Sequence, residues 1–381
     1  MQIRIEKNKL INALGKVQSI VEKRNAMPIL EHVKVELRMN DVIFTATDMD
    51  ITVIDKIEIQ NSASNISFTV VAHILYDIVR KVYGCEEIVF DLSTLVHGHI
   101  KISAGSSKFT LPCLPSDEFP SFEILTDPHC FTLSIEELQF ILSQTKHAIS
   151  TSDTRYYLNG VYLHKTKSDN GNVLLSVVAT DMHRLAKADV LLKKSISDIP
   201  GIIVPRKTVY EILKLLEGQA SADHVGIEIT TSKIKIVIGD TVIISKLIDA
   251  TFPNYGAALP LNNQKKLSVS VKELSRAIDL VTTITESKVK LTKLTLEPGN
   301  LTVAVDNQDI DKTSARQDVS VQYQDEKLEM LMNARYILDC LGAIKGEMVE
   351  FFFCDEISPI LVKEPDNPYC TYVLVPMQFS T

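Results

Sequence analysis

Asp181 and His183 are, by type and spacing, the residues of this chain that come nearest to a metal site. Residues two apart on a strand share a face. A carboxylate beside an imidazole is half of a ligand set able to hold a divalent metal and activate water for hydrolysis. Asp48 and Asp50 offer a second pair at the same spacing. No third or fourth ligand presents itself for either pair. At a hairpin end, by contrast, aspartate favours local hydrogen bonds to its own backbone. Turn residues are therefore the preferred reading; no metal is expected, and a metal-dependent hydrolase using Asp181 and His183 stands only as an alternative.

Other chemistries are excluded by motif. Gly105-Ser106-Ser107-Lys108 is the nearest phrase to a phosphate-binding loop, but it lacks the leading glycine spacing and the terminal Ser or Thr that such a loop needs. G-x-S-x-G, H-E-x-x-H and the dinucleotide fingerprint do not occur. The six cysteines (Cys85, Cys113, Cys130, Cys340, Cys354 and Cys370) form no CxxC pair and no cluster with histidine. That is the usage of free thiols in a reducing cytoplasm. Catalytic residues and cofactors are expected to be none.

Positive charge is the remaining candidate for function. Lys7, Lys9, Lys16, Lys23 and Arg24 face a single acid, Glu22, over the same stretch. Smaller groups follow: Arg80 with Lys81, Arg206 with Lys207 and Lys214, Lys272 with Arg276, and Arg335 with Lys345. Each alone is an ordinary solvated helix face. The net charge is −8, which disfavours a protein coated in positive charge but permits one basic surface and an acidic remainder.

The elements that carry these residues repeat. Ala46-Thr47-Asp48-Met49-Asp50 returns as Ala179-Thr180-Asp181-Met182-His183, and Phe119-Pro120 returns as Phe252-Pro253 at the same offset of 133 residues. Ser134-Ile135-Glu136-Glu137 and Ser270-Val271-Lys272-Glu273 are both S-x-x-E capping boxes, which announces a third copy. After each opening strand comes an apolar stripe at helical spacing: Leu10, Leu14, Val17, Val21; Leu138, Ile141, Leu142, Thr145; Leu274, Ala277, Ile278, Val281. Hairpins follow with period-two alternation, as in Leu294 and Leu296, then Pro298-Gly299-Asn300, then Leu301, Val303 and Val305. In the second copy a longer polar loop is expected from Lys165 to Asn172. A second helix then recurs, with Asp77, Glu211 and Asp339 at matching places. The two halves of each copy resemble one another, so a two-fold pseudo-repeat is expected within it.

Strand, helix, strands, helix, strands, three times over, predicts an α+β architecture with helices on one face of antiparallel sheet. The domains expected are 1–125, 129–258 and 264–381, with links near Leu125 to His129 and Pro260 to Lys265. Each is long enough to bury a core of its own. The opening residues Met1-Gln2-Ile3-Arg4-Ile5-Glu6 alternate as a strand does and do not read as a signal peptide. No apolar run reaches transmembrane length, and a cytoplasmic location is expected.

Four segments then carry a resemblance. Arg155-Tyr156-Tyr157-Leu158-Asn159-Gly160, Ala179 to Ala186, Phe252-Pro253-Asn254-Tyr255 and Tyr372-Val373-Leu374-Val375-Pro376-Met377, with Met27-Pro28-Ile29-Leu30 near the start, all resemble the bacterial sliding clamp family, the beta subunits of DNA polymerase III. The likeness runs from the first residue to the last. It implies three copies of a DNA-clamp domain, with helices lining a ring lumen and antiparallel sheets outside. It implies a head-to-tail homodimer that encircles duplex DNA without sequence preference. Such a ring is a processivity factor, tethering the replicative DNA polymerase catalytic subunit in DNA replication. Loading by a separate clamp-loader ATPase is implied, as are other clamp-binding repair and replication proteins and no membrane. A protein-binding repeat scaffold without DNA binding is the other alternative.

The same resemblance implies sites. Arg24, Tyr156, Tyr157, Arg206 and Lys207 are the implied DNA contacts. A peptide-binding cleft is implied at Leu158, Thr180, Met182, His183, Arg184, Leu185, Pro253, Val373, Leu374, Val375, Pro376 and Met377. The dimer interface is implied at Phe109 and Leu111 on one side and at Thr283 and Ile284 on the other. The chain departs from the family pattern at Met182, where glycine is usual, at Ala257, where arginine is common, and at Gln378-Phe379, where Arg-Leu is common; Ser380 and Thr381 extend past the usual end.

Overall fold

The computed structural model describes residues 2–23, 26–59, 65–122, 125–168, 170–192, 199–217, 224–285, 289–307 and 313–377. Its element order repeats three times. The first copy runs β1 (Gln2–Glu6), α1 (Lys7–Val17), β2 (His32–Arg38), β3 (Asp41–Thr47), β4 (Ile51–Glu58), β5 (Ile66–Val71), α2 (Ala72–Lys81), β6 (Glu87–Asp91), β7 (His99–Ala104) and β8 (Ser107–Pro112). In the second copy come β9 (His129–Ser134), α3 (Ile135–Thr145), β10 (Gly160–Lys167), β11 (Val173–Thr180), β12 (Arg184–Leu191), β13 (Ile202–Pro205), α4 (Arg206–Leu216), β14 (His224–Ile229), β15 (Lys233–Ile238) and β16 (Thr241–Lys246). The third has β17 (Lys265–Ser270), α5 (Val271–Thr282), β18 (Leu291–Glu297), β19 (Asn300–Asn307), β20 (Thr313–Ser320), β21 (Leu328–Asn333), α6 (Ala334–Ala343), β22 (Met348–Phe353), β23 (Ile360–Glu364) and β24 (Asn367–Leu374).

Each copy is therefore strand–helix–three strands, twice, which is the internal pseudo-repeat the sequence pattern predicts. The two halves exchange their first strands. β1 joins β6, β7 and β8, while β5 joins β2, β3 and β4. The sheets are antiparallel throughout.

The half-sheets then fuse across copies. β4 pairs with β16, Val53 opposite Ile243, giving one eight-stranded sheet. β12 pairs with β24, Leu185 opposite Val373, giving another. The β1-β6-β7-β8 and β20-β19-β18-β21 half-sheets stay four-stranded. Continuous hydrogen bonding at these junctions draws the compact units across the middle copy. One unit comprises Met1–Ile135 with Tyr210–Leu247, the other Glu136–Val209 with Ile248–Thr381.

The helices bury the stripes expected of them. Leu10, Ala13, Leu14 and Val17 of α1 are buried, as are Leu138, Ile141, Leu142 and Thr145 of α3 and Leu274, Ala277, Ile278 and Val281 of α5. Val21 is a correction: α1 ends at Val17, a 3₁₀ turn spans Gln18–Ile20, and Val21 is already extended. The polar loop of the second copy is also shorter than expected, because β10 continues pairing to Lys167 opposite Val173. Ser270 caps α5 by accepting the Glu273 N–H at 3.4 Å.

A polar tie anchors one helix to each fused junction. Lys16 of α1 reaches Asp55 of β4 at 3.0 Å and Thr241 of β16 at 2.9 Å, and the Thr241 hydroxyl donates to Asp55 at 2.6 Å. Gln144 takes the matching place on α3, accepting the hydroxyl of Tyr372 and, at 3.8 Å, the thiol of Cys370, both on β24. Lys16 is thus engaged within the fold rather than free for a ligand.

His147 lies just past α3, its ring centroid 5.9 Å from that of Tyr372 and its Nδ1 buried with no hydrogen-bond partner. Burial first, then the Arg184 cation, push its pKa down to about 4. An imidazole held neutral in the fold but free to protonate when unfolded stabilises above pH ~6.5, and the contribution is lost as pH falls toward 4. Acidification over that window is expected to lower the unfolding free energy by about 3 kcal/mol more in the wild type than in His147→Phe. Chemical denaturation at pH 7, 5.5 and 4 checks this; equal losses in the two proteins refute it.

Candidate functional site

The turn between β11 and β12 organises the most developed cavity. Asp181 Oδ1 accepts the N–H groups of His183 and Arg184, both at 3.0 Å, and its Oδ2 accepts from Arg184 Nε at 3.1 Å. Asp48 does the same in the first copy, accepting from Asp50 at 3.0 Å and Ile51 at 2.7 Å. Both aspartates are spent on their own turns, as local capping predicts. Among the described residues no group of three or more His, Cys, Asp or Glu is arranged to hold a metal.

The turns share a strained residue. Met49 and Met182 both sit at φ 77°, in the left-handed region that penalises a Cβ. Here is the physical reason a glycine suits this position. The Met182 side chain remains 55% exposed and lines the cavity.

Arg184 fixes the turn to α6. Its Nη1 bonds Asp339 at 2.6 Å, and its guanidinium lies 4.5 Å from the centroid of the Tyr336 ring. His183 stacks on that same ring at 6.3 Å and 21°. Two carboxylates compensate the one cation, whose side chain is nearly enclosed. Charge-assisted bonds of this kind hold geometry well. The His183 carbonyl also accepts the Val375 N–H at 3.0 Å, extending the β12–β24 seam past its last ladder pair.

Beside this anchor opens a cleft of about 440 Å³, lined on one side by Thr180, Met182, Arg184, Leu185, Val373 and Val375. Its other walls come from Pro253 to Asn263 and from Cys354, Ser358 and Pro359. Of the residues expected in a peptide cleft, Thr180, Met182, Arg184, Leu185, Pro253, Val373 and Val375 line it. The others fall elsewhere. Leu158 is in the buried cluster beneath, with Leu185, Phe252 and Val373. His183 turns to Tyr336, Leu374 and Pro376 are buried, and Met377 bridges to Leu331. Sequence reasoning missed the Ala258–Asn263 wall and Cys354; a linker with no periodicity carries no signal of what it faces.

The basic candidates separate. Arg24 lies outside the described residues, as do Gln378 to Thr381. Arg206 and Lys207 are exposed on the first turn of α4. The Arg206 N–H donates to the Asn159 carbonyl at 2.9 Å, which ties α4 to the 3₁₀ segment Asp153–Leu158. That segment carries exposed Tyr156 and half-buried Tyr157, edge to face at 6.0 Å. Lys7, Lys9 and Arg80 have partners within the first copy. Lys7 donates to the Val82 carbonyl, Lys9 pairs with Glu6 at 3.6 Å, and Arg80 pairs with Asp77 at 3.0 Å. Phe109 is half-buried and Leu111 buried on β8, while Thr283 is exposed and Ile284 half-buried just after α5.

Comparison with known proteins follows the same divisions. Residues 1–123 match the N-terminal domain of the DNA polymerase III beta subunit, 132–254 its central domain and 257–378 its C-terminal domain. The Beta sliding clamp of Caulobacter vibrioides is 38% identical, over 99% of this chain and 100% of that one. The chain belongs to the DNA polymerase III beta subunit family.

The beta sliding clamp of Rickettsia felis is 32% identical over 99% of this chain and 100% of its own. A Bartonella birtlesii sliding clamp, solved bound to griselimycin, superposes with a TM-score of 0.92 at 37% identity, covering 100% of both chains. A Pseudomonas aeruginosa beta subunit gives 0.91 at 30% identity, again over 100% of both. As a beta subunit this chain is a DNA sliding clamp, a non-catalytic processivity factor of DNA polymerase III, and the hydrolase alternative is not favoured.

Within the beta subunit, Met182→Gly and Met49→Gly are each expected to stabilise by about 1 kcal/mol, because the relief of left-handed strain exceeds the added chain entropy. Thermal melts check the sign; a lower melting temperature in both variants would contradict the strain argument.

Proposed function

We propose that this beta subunit closes head to tail with a second copy into a ring around duplex DNA, in the cytoplasm. The observation that carries the reading is the strand inventory. β4 and β12 each find a partner edge, β16 and β24, whereas their counterpart in the third copy, β20, has β19 as its only sheet neighbour among the described residues. β8, the first-copy counterpart of β16 and β24, has β7 alone. One such edge in the first copy and one in the third, of complementary kind, is what a heterologous contact needs, and closing two chains would pair both.

Side chains support the same junction. Leu280 of α5 stands where Lys16 and Gln144 stand on α1 and α3, and it is 61% exposed. With Val319 and the apolar part of Arg276 it borders a groove along β20. Phe109 and Leu111 on β8, and Thr283 and Ile284 after α5, are the proposed contacts beside it. Sedimentation of Leu280→Lys and of Phe109→Glu is expected to give monomers at micromolar concentration where the wild type gives dimers. A folded wild-type monomer at that concentration would sink the closed ring.

The proposed domains 1–125, 129–258 and 264–381 would place their helices toward DNA. Arg24, Tyr156, Tyr157, Arg206 and Lys207 are the proposed contacts, sequence-independent because they address phosphate and sugar rather than base edges. Removing Arg206 and Lys207 together is expected to weaken retention on DNA uniformly across sequences and to flatten the salt dependence by about 2 in log–log slope. An unchanged slope excludes them.

The cleft at Thr180, Met182, Arg184, Leu185, Pro253, Val373 and Val375 is proposed to take an extended peptide from partners, the replicative polymerase catalytic subunit and other clamp-binding repair and replication proteins. Its lining is apolar and its one cation is already compensated, which suits aliphatic and aromatic anchors. Tethering then raises the polymerase's effective concentration at the primer end. A separate clamp-loader ATPase opens the ring, since the chain has no phosphate-binding loop. The deciding assay loads the clamp on primed circular DNA: retention on nicked circles with release after linearisation is expected. Equal retention on both would favour ordinary binding over encirclement.

A further inference from the structure

Tyr162 and His164 stand two apart on β10 and face the same way. Tyr162 stacks on Phe252 at 4.9 Å and 5°, and His164 stacks on the other side of Tyr162 at 4.4 Å and 21°. The Tyr255 hydroxyl and His164 Nε2 are hydrogen-bonded at 3.1 Å, with the rings edge to face at 5.6 Å. An aromatic ladder therefore runs from the buried cluster under Pro253 outward to the 3₁₀ turn Tyr255–Ala258. Tyr255, Ala257 and Ala258 all line the cleft.

This wall belongs to no strand. Asn254 caps its first turn by accepting the Gly256 N–H at 3.1 Å, and Leu259 closes it by donating to the Gly256 carbonyl at 3.3 Å. Both bonds are local. Among the described residues it is tied to neighbouring structure by Tyr255 at one end, by Leu259 packed against the buried cluster, and by Asn263 at the other end, where Nδ2 donates to the Phe352 and Pro359 carbonyls at 2.8 and 2.9 Å.

The groups around His164 keep it neutral. Burial lowers its pKa most; the bond with the Lys165 backbone raises it, the Lys187 cation lowers it, and Asp189 raises it. Lys187 and Asp189 are themselves paired. Burial first, then Asp189 and Tyr162, push the Tyr255 hydroxyl up to about 12. A neutral imidazole thus meets a protonated phenol, one acceptor for one donor.

We infer that His164 is a positioning residue for the cleft, fixing the Tyr255–Ala258 wall through the Tyr255 hydroxyl and so setting the width offered to an apolar peptide. The inference rests on the reading of the cleft as a peptide site. His164 lines no part of the cavity and acts only through Tyr255.

Fluorescence anisotropy tests it, using the full-length protein and a labelled short extended peptide carrying leucine and phenylalanine anchors. His164→Phe keeps the stack and removes the acceptor; Tyr255→Phe keeps the ring and removes the donor. Each is expected to weaken binding about 5-fold, and the double variant no further, because both remove one bond. His164→Gln, which restores a side-chain acceptor, is expected to recover most of the affinity. Retention of His164→Phe on circular DNA is expected to match the wild type. Wild-type affinity in the single variants, losses that multiply in the double variant, or no rescue by glutamine would each overturn the role of His164. Val375→Glu, which puts a charge in the middle of the cleft, separates the two readings. If it binds the peptide as the wild type does, the cleft reading falls and the inference with it; if it abolishes binding, a failure of the His164 variants counts against His164 alone.

Discussion

The whole architecture depends on one constraint: a half-sheet built by exchanged first strands is only four strands wide and ends on open edge strands. Backbone N–H and C=O groups on such an edge need partners. Four edges find them within the chain, β4 with β16 and β12 with β24. Those pairings weld successive copies so firmly that compact units follow the sheets and cut through the middle copy. β8 and β20, the counterparts of those four edges, have no such junction among the described residues; one lies in the first copy and the other in the third. The proposed ring is the arrangement in which the same pairing rule is applied once more between chains.

The junctions share geometry but differ in chemistry. Lys16 with Asp55 and Thr241, and Gln144 with Tyr372 and Cys370, are internal polar ties that are always satisfied. Leu280 at the third position is apolar and exposed. A buried polar group must keep its partner or pay a desolvation penalty, whereas an apolar side chain tolerates separation from its partner. A contact meant to open and close is better served by the leucine.

Divergence within the repeat makes the cleft. Ile51 and Arg184 occupy the same place, next to the same aspartate turn and opening the same strand. Ile51 is buried opposite Ser245. Arg184 instead reaches Asp339 and Tyr336 and fastens the turn to α6. Asp50 pairs with Lys246 at 3.1 Å in the first copy, while its counterpart His183 stacks on Tyr336. Two substitutions convert a plain sheet junction into an anchored cavity wall.

Periodicity, the recurring Ala-Thr-Asp-Met turn and the capping boxes determined the three copies, the helix faces and the hairpins, because those follow from local spacing and backbone chemistry. Of the positions implied by the family resemblance, Arg184 and Leu185 on β12 and Val373 on β24 line the cleft. Exchange of first strands between halves was not legible, since either strand could pair with either neighbour at the same periodicity. Nor was the fate of Lys16, which looks like any other helix lysine in the sequence: only folding brings Asp55 and Thr241 to it. The linker from Ala257 to Asn263 shows no pattern at all, yet it forms a wall of the cleft because β12 and β24 pair beneath it. Local interactions set the parts; contacts between residues far apart in sequence decided which edges, charges and cavities remained available.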